Sequence, residues 1–417
     1  MKRATRVLMA TALLGALVVP TVQAQDKTEL RVWTLDAFGD TVQQAWDETI
    51  AAFEEANPTI DVVLEGRAVD AHKDALRVAA GTSEEPDIYF MWAGQGLGGE
   101  FVDLGVAAPL DDAYAELGWN DRFTGPSLAK TQYADSQYGV PYTNHAMAVY
   151  YRKDLFEKAG ITEVPTTYDE LIAANDKLLA AGIQPIAFGG KDRWHVMRLT
   201  DSLMETVCGA EKHDALKFLQ ADWTTEACAT AAYTELDRWN KAGYLGDNFM
   251  GIGYQDAQGL WFTGDAAMMI EGDWMVNQLV DAGQDLENYA IFPFPTGTDR
   301  MYFFAEMNYP SASSEQLDAA ISFLDYFSSD EVQQKYLGQF GSIAVNKNVT
   351  YPEDTRPLDA WWVDLFNSST AVYEPADQAF PLDVNTEYWR IEDGVLTGDI
   401  APADAAAQMQ AFIDNRP

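Results

Sequence analysis

Thr143, Asn144 and His145 place three hydrogen-bonding side chains together between a turn signal and an apolar run. Gly139 relaxes the backbone, and Pro141 fixes its own φ and holds Val140 extended. Ala146 to Tyr151 then follow without polar alternation, the pattern of a strand buried on both faces. Polar groups at the edge of a core suit either a ligand or a structural turn, which His145 alone could cap. A second cluster is Glu271-Gly272-Asp273-Trp274, two carboxylates beside an indole. It suits a flat ligand stacked on the ring or a cation in an aromatic cage. Asp273 equally suits the N-cap of a following helix. No G-x-S-x-G, H-E-x-x-H, P-loop or dinucleotide fingerprint occurs. His72, His145, His195 and His213 are not at metal-ligand spacing, so no metal or cofactor is expected. With 65 acidic residues, a carboxylate pair at glycosidase separation stays open.

The N-terminus carries a different message. Lys2, Arg3 and Arg6 precede a short apolar core, Val7 to Val19, ended by Pro20, and Val22-Gln23-Ala24 suit a cleavage site. Residues 1–24 read as a signal peptide removed before Gln25. The apolar run is too short to span a bilayer, and with no cysteine nearby no lipid anchor is expected. The expected location is the periplasm. The exported chain keeps 24 Lys and Arg against 65 Asp and Glu, a formal charge of −41 over 393 residues. Such a surface repels nucleic acid and anionic membranes and favours a soluble monomer. The length suggests about two domains. Cys208 and Cys228 are the only cysteines. In an oxidising compartment they form a disulfide worth about 3 kcal/mol; two buried thiols are the alternative.

Positioning these groups requires an α/β framework. Glu29–Leu35, Ile60–Leu64 and Pro86–Trp92 read as strands, separated by an amphipathic helix carrying Val42, Ala45, Trp46, Ile50 and Phe53 and by a helix over Ala71–Ala80. Right-handed crossovers put ligands beyond the carboxyl ends of such strands, here Leu35-Asp36 and Trp92 to Gln95. Asp154 is expected to cap a short helix over Leu155–Ala159, closed by Gly160. A second α/β unit follows: a helix over Tyr168–Ala181, a strand over Ile183–Phe188 and the loop Gly189 to His195. Ala266–Ile270 and Tyr289–Phe294 read as strands, Ser314–Phe327 and Asp330–Phe340 as helices, and the C-terminal stretch as mostly helical.

In this order the chain resembles the maltose-binding family, the extracellular sugar receptors of ABC importers. The segments that carry the resemblance are ELRVWTLDAF, FEEANPTIDVVLE, PDIYFMWAGQGLGGEFVDLGVAAPLDD, YGVPYTNHAMAVYYRKDLFEKAGI, VPTTYDELIAANDKLLAAGIQPIAFGG, GDAAMMIEGDW, FPFPTG and SFLDYFSSDEVQQKYLGQFGSIAVNK. They cover nearly the whole exported chain. The resemblance implies a two-lobed α/β periplasmic-binding-protein fold with a ligand cleft between lobes. Lobe one would hold 25–142 plus 297–343, and lobe two 143–296 plus 344–417. It also implies a neutral mono- or oligosaccharide ligand and inner-membrane permease subunits as partners.

A sugar offers flat C–H faces and many hydroxyls, so its site needs aromatic platforms and hydrogen-bonding side chains. Carried over by the resemblance, these are Trp92 and Gln95 after the third strand, and Asn144 and His145 in the crossover. Asp192, Arg193 and Trp194 follow, then Glu271, Asp273 and Trp274, and Tyr388-Trp389. Asp36, Glu306 and Asn308 are further candidates. The family's crossover acid is His145 here, a departure that bears on which sugar fits. Trp33, Trp46 and Trp261 are assigned to packing, and Arg193 would be structural if paired to Asp192. The competing functions are a secreted glycosidase and a receptor for a charged solute. Glu271 and Asp273 beside Trp274 would serve a polyamine, whereas a phosphate ester would find only Lys191 and Arg193.

Overall fold

The computed structural model describes residues 27–36 and 39–416. The expected signal segment 1–24 lies outside the described residues. β1 (Thr28–Leu35), β2 (Ile60–Arg67) and β3 (Ile88–Trp92) are parallel, joined by α1 (Asp40–Ala56) and α2 (Val69–Ala79). α1 turns one stripe inward, Ala45, Trp46, Thr49 and Phe53, because those residues recur at helical spacing. After short helical turns comes β4 (Val140–Arg152), followed by α3 (Lys153–Lys158), α4 (Tyr168–Ala180) and β5 (Gln184–Ile186). α4 opens on a complete capping box between Thr167 and Glu170. α5 (Arg193–Lys217), α6 (Ala227–Lys241) and α7 (Tyr254–Thr263) precede β6 (Ala266–Gly272). α8 (Met275–Asp281), β7 (Tyr289–Phe292) and β8 (Arg300–Pro310) follow. The chain ends with α9 (Leu317–Phe327), α10 (Asp330–Lys335), α11 (Pro357–Ser368), β9 (Ala371–Tyr373), α12 (Ala376–Ala379), α13 (Leu382–Thr397) and α14 (Pro402–Asp414).

The main sheet runs β2-β1-β3-β8-β4-β6-β5, with β9 on β8 and β7 on β4. β8 and β4 pair antiparallel to each other and link the two α/β units into one hydrogen-bonded path. The apolar cores nevertheless divide. Leu30, Val32, Trp46, Phe90, Phe323 and Phe327 pack on one side of the β1–β3 region, and Tyr89, Met91, Phe101 and Tyr309 on its other face. Val149, Leu199, Tyr233, Trp239, Met268 and Tyr388 belong to a separate core, continued by Tyr150, Trp261 and Trp362. The architecture is two-lobed.

Several local expectations are corrected. Thr143 to His145 sit inside β4, a strand of 13 residues, and the turn is confined to Gly139 at φ 69°. β8 was not expected from its sequence, yet it lies at the centre of the sheet. Asp154 does not cap α3, whose N-cap position is Arg152; its carboxylate pairs with the Arg152 guanidinium at 3.0 Å. Asp273 is likewise no N-cap, because α8 starts one residue later with Trp274 at that position. Cys208 and Cys228 form a disulfide joining α5 to α6.

Candidate functional site

A cleft of about 800 Å³ opens between the two cores. Strand register assembles its floor: Trp92 at the end of β3 pairs with Glu306 on β8, and Phe304, two residues earlier on β8, pairs with His145 on β4. Trp274 completes the floor by folding back over the end of β6. A Cβ on Gly272 would lie 2.0 Å from its ring, so only glycine leaves room for this fold-back. The indole stands edge-on to His145 with centroids 5.1 Å apart.

His145 is held from both sides. Nδ1 lies 2.7 Å from Asp273 Oδ1 and Nε2 3.2 Å from Glu306 Oε2. Burial disfavours the imidazolium, but the two carboxylates outweigh it and push the pKa up to about 10. The ring is therefore charged at neutral pH. The second oxygen of Asp273 accepts the Ser342 N–H at 2.9 Å, and Ile343 bridges to Asn144. Four separate stretches of the chain, around His145, Asp273, Glu306 and Ser342, thus converge on one ion cluster.

One wall of the cleft is built from α5. Arg198 stands one turn after Trp194 and inserts its guanidinium between Trp194 and Trp274, 4.2 and 5.1 Å from the ring centroids. Its Nη1 lies 3.5 Å from Glu271 Oε2, while Glu271 Oε1 accepts from His195 Nε2 at 2.6 Å. On the opposite wall Lys73 of α2 holds its ammonium 4.8 Å from the Trp92 ring. Burial pulls Lys73 below the usual lysine range, and Asp377 opposes that shift. Asp377 and Gln378 reach the same corner from α12. At the lip, Thr41 Oγ1 donates to Asp281 Oδ1 at 2.6 Å, and Gly96 N–H donates to the Gln378 carbonyl at 3.2 Å. These bonds join the two sides of the cleft.

Of the residues expected from the sequence, Asp36, Trp92, His145, Asp192, Trp194, Trp274 and Glu306 line the cleft. The others stand elsewhere. Gln95 is on the surface and bonds Asp103 at 2.9 Å. Asn144 is buried on Ser127 and the Ala344 carbonyl, and Asn308 is buried within β8. Glu271 and Asp273 form a second layer behind Arg198 and His145. Arg193 is exposed and pairs with Asp393 at 3.1 Å instead of Asp192, whose carboxylate accepts the Tyr254 N–H. Tyr388 is fully buried with its hydroxyl toward Asp201, and Trp389 packs on the lobe-two core; neither reaches the cleft. Sequence reasoning missed Lys73, Arg198, Tyr254, Asp377 and Gln378. For Arg198 the i,i+4 spacing from Trp194 was a usable signal; the others carry no local pattern.

Residues 39–334 match the family described as bacterial extracellular solute-binding protein. The chain belongs to that family. A Brucella abortus protein named as a binding protein is 26% identical over 426 residues, spanning 97% of this chain and 98% of its own. A chitin oligosaccharide binding protein has the same fold, with a TM-score of 0.85 at 24% identity over 93% of this chain and 98% of its own. A structure from work on xylan utilization by the thermophilic bacterium Caldanaerobius polysaccharolyticus gives 0.84 at 25% identity over 92% and 100%. The expected two-lobed fold and the ABC-transporter solute-binding family are thereby established. These family members and neighbours are binding proteins.

Proposed function

We propose that this solute-binding protein is the periplasmic receptor of an ABC importer for a neutral mono- or oligosaccharide. It closes its lobes on the sugar and delivers it to inner-membrane permease subunits. The observation that carries this reading is the cleft itself, where Trp92, Trp194 and Trp274 alternate with buried side chains of both charges. Indole faces suit pyranose C–H surfaces, and a hydroxyl both donates and accepts. The charges nearly cancel locally: Arg198 faces Glu271, Lys73 faces Asp377, and His145 lies between Asp273 and Glu306. A polyamine would meet Arg198 and Lys73 beside the rings, with Glu271 and Asp273 already engaged. The same occupation argues against a glycosidase pair at the floor. The division into 25–142 plus 297–343 and 143–296 plus 344–417, a cleaved signal, a free unanchored chain and a monomeric state are parts of this proposal.

The test is a thermal-shift screen of the exported chain against monosaccharides, oligosaccharides, polyols, polyamines and glycerol phosphates, followed by calorimetry. A ligand that binds only the folded state raises the melting temperature by mass action. A shift with one sugar class and no new products by chromatography is expected. A shift with polyamines alone, or released reducing sugar, would overturn the reading.

A further inference from the structure

The corner of the cleft beneath α12 is more polar than a stacking site requires. Lys73 and Gln378 are each more than nine-tenths buried, as is Asp377, and all three line the cavity. No carboxylate among the described residues reaches salt-bridge distance of Lys73 Nζ, which rests on the Trp92 ring. Gln378 Oε1 is buried without a hydrogen-bond partner, and Arg198, whose Nη1 lies 3.5 Å from Glu271 Oε2, lines the same cavity. Leaving such an acceptor unpaired costs about 1–3 kcal/mol. The corner is held firmly: Asp201 Oδ2 accepts both the Ala376 N–H and the Tyr302 hydroxyl at 2.9 Å, fixing the start of α12. Donors therefore converge from Lys73 and Arg198, and acceptors from Asp377 and Gln378.

We infer that Lys73, Arg198, Asp377 and Gln378 form an end subsite that reads two adjacent free hydroxyls on the terminal ring of the sugar. Each hydroxyl accepts from a cation and donates to Asp377 or to Gln378 Oε1, which pairs all four side chains. An ammonium on that ring would face Lys73 and Arg198 and is rejected. An O-alkylated ring lacks the proton that the acceptors need. Lys73 comes from α2 and the other three from α5 and α12, on the opposite wall. The subsite is therefore complete only when the two walls approach, and it makes the terminal diol a condition for the closed form.

The inference rests on the sugar-receptor reading, and the experiment separates the two. Calorimetry with glucose, galactose, mannose, xylose, maltose and cellobiose identifies the tightest binder. Its monodeoxy and mono-O-methyl derivatives are then titrated into the wild type, Lys73→Met and Asp377→Asn, with melting curves confirming that each variant is folded. On the wild type, two derivatives modified at neighbouring hydroxyls should bind about tenfold to hundredfold more weakly than the parent. In Asp377→Asn or Lys73→Met the parent should weaken by a similar factor, and the penalty for those same derivatives should shrink to about threefold or less. Parent affinity unchanged in both folded variants, or penalties that persist undiminished in them, would overturn the subsite while leaving the receptor intact. If none of the sugars binds the wild type, both readings fall.

Discussion

Replacing Trp274 with alanine removes the ring that forms the floor of the cleft and one of the two indole faces holding Arg198. A pyranose stacked on an indole covers roughly 70 Å² of apolar surface, worth about 1.8 kcal/mol at about 25 cal/mol/Å². Arg198 keeps its contact at 4.2 Å with Trp194 but loses the one at 5.1 Å, so its aim at the ligand also loosens. Together these give a loss of about 2 kcal/mol, close to thirtyfold in Kd. The fold should survive, because the ring is half-buried at the cleft floor and touches His145 and Phe304 only by edge and tilt, at 5.1 and 5.8 Å. Trp274→Phe keeps a platform and should lose less than half as much. Titration calorimetry with the best sugar of the screen, alongside near-UV circular dichroism, provides the measurement. Affinity within about twofold of wild type in a folded Trp274→Ala protein would remove this ring from the site and refute the stacking argument.

Three other outcomes follow from the same geometry. His145 titrates at about 10 when folded against 6.5 as a free side chain, so its ion cluster contributes fully below pH 6.5 and fades as pH rises toward 10. Urea midpoints measured across that range should fall more steeply for wild type than for His145→Gln, and equal slopes would contradict the charged assignment. Replacing Cys208 and Cys228 together with serine opens a link across 20 residues and should cost about 3 kcal/mol in denaturant unfolding without changing sugar affinity. Tyr388→Phe and Trp389→Phe should leave affinity unchanged, since both side chains pack inside lobe two; a tenfold weaker Kd in either would return that pair to the cleft.

What the sequence revealed about this cleft depended on how local the signal was. β1, β2, β3 and the helices between them were legible because buried parallel strands are continuously apolar and amphipathic helices repeat every few residues. β8 escaped because Arg300-Met301-Tyr302-Phe303-Phe304-Ala305-Glu306-Met307-Asn308 mixes buried polar and aromatic residues, and its identity as a strand is decided by β3 and β4 on either side. The same holds for function. Trp274 and Trp194 announced themselves as aromatics in loops beside polar groups, whereas Lys73, Asp377 and Gln378 sit in unremarkable helical contexts and meet only through tertiary packing. Tyr388 and Trp389 show the opposite error: an aromatic pair in the expected place, turned inward by the Asp201 carboxylate toward which the tyrosine hydroxyl points.

Strand register converts these scattered residues into one site. Trp92 meets Glu306 and His145 meets Phe304 because β8 runs antiparallel between β3 and β4, with its register shift falling between Glu306 and Met307. Asn308, two residues further along β8, pairs with Phe90 and Val140 and is buried, whereas Glu306 reaches the cleft. Under the proposed lobe division the ion cluster at His145 draws on all three passages between the lobes, so the proposed ligand floor is also the joint about which the walls would turn. A sugar that displaces Glu306 from His145, or that strengthens the contact, acts on both at once. On the proposed reading, binding and closure are coupled at the floor by charge and at the α12 corner by hydrogen bonds, and a substitution at either place should change both the affinity and the degree of closure.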